Sequence, residues 1–164
     1  MKLVLPFLIL ALATACSPPI QIDGFPEDLA IQGGCGDLVL FAVDDADTML
    51  LTVTGEGFVA AAEATGEETT SLIDLSQEGL VVRLQTGTEV SAATCTDDIE
   101  GNGPVFDTEY EAGSGTATLT VQPAVGGVAE ASVLLEGLEF PVGSHALLLE
   151  RLELADVSLE LGGG

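Results

Sequence analysis

Basic and aromatic residues are nearly missing from this chain of 164 residues. It holds three Lys and Arg together, one His, one Tyr and no Trp, against 27 Asp and Glu. Nucleic-acid binding needs a basic footprint, and so many carboxylates repel a phosphate backbone, so that class is excluded. A sugar subsite ordinarily uses aromatic platforms, which one tyrosine cannot supply. Three cysteines with no Cys-x-x-Cys spacing and the lone His145 argue against a zinc cluster or a dithiol redox centre. Gly-x-Ser-x-Gly is absent, and Gly113-Ser114-Gly115 lacks both that pattern and its strand-to-helix setting. No phosphate loop or dinucleotide fingerprint occurs, so no enzyme activity, cofactor or catalytic residue is expected.

What is present begins at the first residue. Lys2 is followed by an apolar run over residues 3–12, then Ala13-Thr14-Ala15 and Cys16. The run has the length of a secretory signal and is too short to cross a bilayer. Small side chains immediately before a cysteine resemble the lipobox of bacterial lipoproteins, in which the chain is cut before the cysteine and its thiol is acylated. The resemblance covers residues 1–16 only. It implies a signal peptide over 1–15, a palmitate-type lipid on Cys16 and a place in the cell envelope. Ser17, rather than Asp, after the cysteine implies the outer membrane. Ala-x-Ala also suits an ordinary signal peptidase, so plain secretion is the alternative. Cysteine parity separates the two, because acylating Cys16 removes the odd thiol and leaves Cys35 and Cys95.

In an oxidising compartment those two are expected to form a disulfide. The closed loop of about 60 residues would contribute on the order of 4 kcal/mol, and the spacing would suit a staple between two sheets. With the signal removed, only Arg83 and Arg151 face the acids. Such a surface resists aggregation and is repelled by anionic lipid head groups, so membrane contact should run through the Cys16 lipid alone. Any further partner would be an envelope protein or polymer.

Pro18, Pro19 and Pro26 mark residues 16–30 as a semi-extended tether, leaving residues 31–164 as one domain. Short apolar runs broken by Gly, Asp and Asn clusters read as strands. They fall at 38–43, 49–54, 69–75, 80–85, 116–122, 128–135, 138–140 and 157–161, with turns at Asp44-Asp45-Ala46-Asp47 and Glu136-Gly137. Residues 145–154 (HALLLERLEL) alternate as a strand only with a bulge near Glu150. Residues 58–64 (FVAAAEA) are read as a strand although their alanines favour helix. About ten short strands give an all-β expectation. Its finer form is a two-sheet antiparallel β-sandwich, with immunoglobulin-like topology as one variant.

One segment has metal-ligand spacing. Residues 98–109 (DIEGNGPVFDTE) offer oxygens from Asp98, Glu100 and Asn102, a glycine at Gly103 and a closing carboxylate at Glu109. This resembles an EF-hand calcium loop and implies Ca2+. Glu100 at the third place, Pro104 at the seventh and the lack of flanking helices depart from that pattern. A solvated acidic loop is the plainer alternative. Asp44, Asp45 and Asp47 are read as a hairpin turn, and His145 as structural or exposed.

Overall fold

The computed structural model describes residues 25–77, 79–95 and 104–161. In chain order the elements are β1 (Leu29–Cys35), β2 (Val39–Asp44), β3 (Met49–Gly55), α1 (Phe58–Thr65), β4 (Thr69–Asp74), β5 (Leu80–Thr88) and a 3-10 turn at Val90–Ala93. They continue with β6 (Val105–Glu111), β7 (Ser114–Val121), β8 (Val128–Val142) and β9 (His145–Glu160). The all-β expectation is met.

The strands do not separate into two sheets. They form one, ordered β4-β7-β8-β9-β1-β2-β3-β5-β6 and curled into a half-barrel. Its halves meet at β1, which pairs antiparallel with β2 along its length but joins β9 in parallel only at Cys35 and Glu160. The Gly36 N–H crosses this seam to the Glu160 carbonyl at 3.1 Å. The Gln32 side-chain amide donates to the Glu153 carbonyl and accepts from the Ala155 N–H, both at 3.2 Å. Gly34 allows close approach, since a Cβ there would lie 2.7–2.8 Å from Leu159, Val157 and the Val39 carbonyl.

Strands with clean alternation follow their pattern. Met49, Leu51 and Val53 of β3, and Ala117, Leu119 and Val121 of β7, are buried in one core that spans both halves. Each fully buried Leu, Val or Phe contributes about 1.5–3 kcal/mol of transfer free energy. Folded structure also starts before residue 31. Phe25 packs edge-on against the fully buried Phe140, with centroids 6.3 Å apart, and β1 opens at Leu29. An aromatic ring with a core partner at hand does not stay in a solvated tether.

Three readings are corrected. Residues 58–65 form α1, which buries Val59 and Ala62 and closes with the Gly66 N–H on the Ala62 and Glu63 carbonyls. The alanine run outweighs its few β-favouring neighbours. No turn occurs at Glu136-Gly137: β8 runs through, Gly137 takes φ 60, and the register of β7 on β8 shifts between Ser114 and Thr116. Buried positions therefore pass from Val133 and Leu135 to Leu138 and Phe140. In β9 they pass from Leu149 to Leu154 without an extra residue near Glu150. The bulge lies further along, where β9 has one more residue than β8 between the pairs Ala131–Val157 and Val133–Leu154. Asp156 there takes φ 53, and its N–H donates to Ser132 Oγ at 2.9 Å.

Candidate functional site

The acidic turn between β2 and β3 is a built structure. Asp44 is 7 % exposed, and its Oδ1 accepts from the backbone N–H groups of Thr48 and Met49, both at 2.7 Å. Its Oδ2 accepts from Thr48 Oγ1 at 2.7 Å. Burial works to raise the Asp44 carboxyl. The Thr48 hydroxyl and the Met49 and Thr48 N–H groups outweigh it and hold the group below the usual carboxylate range. Asp47 takes φ 56, and its carboxylate accepts from the Ser91 N–H at 2.7 Å and the Ser91 hydroxyl at 3.0 Å. Both carboxylates are thus engaged by protein donors, that of Asp44 within the hairpin turn and that of Asp47 on Ser91 beyond it.

The Asp47–Ser91 contact docks the 3-10 turn across the outside of the sheet. Val90, fully buried, joins Val43 and Leu50 in a second small core flanked by Phe41 and Phe106. The strap then reaches Cys95, which forms a disulfide with Cys35 across a Cα–Cα distance of 5.7 Å. The expected pair is present but its role differs: it joins the end of β1 to the strap rather than one sheet to another. The contact between Asp47 and Ser91 was not foreseen, and nothing in two polar residues 44 positions apart signals it.

Cys16 of the lipid reading, and Asp98, Glu100 and Asn102 of the calcium reading, lie outside the described residues. Glu109 stands in the middle of β6, where its carboxylate accepts from Gln85 Nε2 at 2.6 Å. His145 is exposed at the start of β9. Among the described residues no group of three or more His, Cys, Asp or Glu is arranged to hold a metal, and no helix is long and apolar enough to cross a membrane.

An open groove of about 570 Å³ lies where β2 and β5 begin and β3 ends, lined by Asp37, Leu38, Val39, Thr54, Glu56 and Val81 among others. This is the end of the β1–β2–β3–β5 region opposite Leu29 and the acidic turn, because Leu29 pairs with Asp44 and Gly55 with Leu80. Asp37 Oδ2 accepts from the Gly57 N–H at 2.6 Å, so it fixes the start of α1. The lining contains no histidine, cysteine or cation, and no nucleophile paired with a base.

The molecule is therefore an acidic, disulfide-bonded all-β protein. Comparison with known proteins returns no match to a family model, a curated protein or a solved structure.

Proposed function

We propose that the protein is a lipid-anchored, non-catalytic module of a bacterial cell envelope, held at the outer membrane through Cys16, with a structural or interaction role. One observation carries the reading. Cys35 and Cys95 bond to each other, so of three cysteines only Cys16 is left over, and it directly follows the signal-like residues 1–15. A disulfide is also the bond that export into an oxidising compartment favours.

The fold suits a tethered module. The chain enters at Phe25, beside the start of β1, so the groove at the other end of β2, β3 and β5 would face away from the bilayer. Carboxylates covering the surface would keep the domain off anionic lipids and leave the acyl chains as the sole attachment. The partner would be an envelope protein or polymer met by the sheet faces or loops. No observation favours the calcium-binding alternative, since Gln85 already engages Glu109.

Intact-mass spectrometry of the protein from a bacterial membrane fraction, with detergent-phase partitioning, tests the proposal. A chain beginning at Cys16 with added acyl mass supports it, and Cys16→Ser should shift the protein to the aqueous phase. An unmodified first residue, or a wild-type protein that partitions as the Cys16→Ser variant does, would overturn it.

A further inference from the structure

Two strand edges have no hydrogen-bonded strand beside them among the described residues, those of β4 and β6, and they differ in chemistry. β6 exposes Asp107, Glu109 and Glu111 at alternate positions. Two copies meeting there would set carboxylates against carboxylates, which is destabilising across a strand pair. Charged residues of this kind are a common guard on a free edge. β4 has little such protection: it exposes Thr70, Leu72 and Asp74 and contains no Lys, no Pro and no bulge.

Leu72 is 77 % exposed, in a strand rather than a loop. Behind it the outer face is free of charge over two rows, Leu72–Thr118–Leu134 and Thr70–Thr120–Ser132, with the Thr70 and Thr120 hydroxyls 3.2 Å apart. In a chain with 27 acids and three Lys and Arg, two uncharged rows at a strand edge let two copies approach with little direct repulsion between side chains.

We propose that β4 is a self-association edge. Two copies pair antiparallel about a two-fold axis through Leu72, making one sheet continuous across both molecules. Leu72 then faces the partner subunit's Leu72, and Thr70 faces the partner subunit's Asp74, so no carboxylate opposes another. Free backbone donors and acceptors of both edges are satisfied, and two exposed leucines cover each other. A six-residue strand offers less area than a standard interface, so the dimer is weak and depends on concentration.

Cross-linking and sedimentation of the mature full-length protein test this. Directly opposed side chains in an antiparallel pair lie within reach of a disulfide. Under mild oxidation the Leu72→Cys protein is expected to form a covalent dimer, with the Cys35–Cys95 bond verified by mass. Asp107→Cys, on the edge of β6, should link only at the rate of random collision. The wild-type protein should show a concentration-dependent dimer in sedimentation, and Leu72→Asp should abolish it without changing the melting temperature, because Leu72 contributes little to the monomer's core. Equal linking rates for Leu72→Cys and Asp107→Cys, or a wild-type protein that sediments as Leu72→Asp does at every concentration, would overturn the proposal.

Discussion

Replacing Asp44 with alanine should cost far more than its place in a surface turn implies. The substitution removes the acceptor for two backbone N–H groups and one hydroxyl, each held at 2.7 Å. Met49, which donates one of these bonds, is buried, so water cannot readily replace the lost partner. An orphaned buried donor costs about 1–3 kcal/mol, and the half-exposed Thr48 groups add less, giving about 3 kcal/mol in all. For a domain of this size that lowers the melting temperature by about 6–12 °C. Asp44→Asn should retain part of the stability while losing charge assistance. The acid limb supplies a second readout. The folded-state Asp44 carboxyl lies below its unfolded value of about 3.9, so its stabilisation is complete above that pH and is lost as pH falls through the lower, folded value. The gap between wild type and Asp44→Asn should therefore close on acidification. Thermal melts across acidic to neutral pH, with the exposed Asp45→Ala as control, measure both effects. A loss at Asp44→Ala no larger than that at Asp45→Ala would refute the reasoning.

Three further outcomes are expected. Removing the disulfide by Cys35→Ser with Cys95→Ser should cost on the order of 4 kcal/mol in denaturant titration, and tryptic cleavage at Arg83 should follow global unfolding more readily. Gln32→Ala removes two hydrogen bonds across the seam and should cost about 1–2 kcal/mol, with faster amide exchange at Ala155 as the local signature. Gly34→Ala places a methyl group against Val157, Leu159 and the backbone of Val39, and the overpacking should cost about 1–3 kcal/mol in the same titration.

How far the sequence could be read depended on whether a strand is half-buried and regular. β7 alternates without interruption, and β3 does so except at Leu50, which the 3-10 turn covers on the other face, so Met49, Leu51, Val53, Ala117, Leu119 and Val121 could be assigned to the core from spacing alone. β8 and β9 each read as two strands because the inward positions change parity at Gly137 and at Asp156, and a local pattern cannot distinguish a bend from an end. β1 was missed because Gly33 and Gly34 look like loop punctuation. In the fold they mark where β1 lies against the Phe41 ring and against β9. β6 was missed because its exposed face is acidic, so Glu109 entered a calcium motif instead of a ladder with Gln85. The disulfide was legible from parity and compartment, whereas the strap that carries Cys95 depends on a long-range contact between Asp47 and Ser91.

In the lipid-anchored form proposed above, the anchor would join the chain ahead of β1, at the end opposite the disulfide, and that strand would carry a mechanical role. A pull from that anchor against a partner held at the groove end would load the β1–β2 ladder in shear, so that several rungs resist together instead of unzipping singly. Should those rungs slip, the covalent link at Cys35 transfers the load to Cys95 and the body of the domain. Extension from that point requires the core itself to yield.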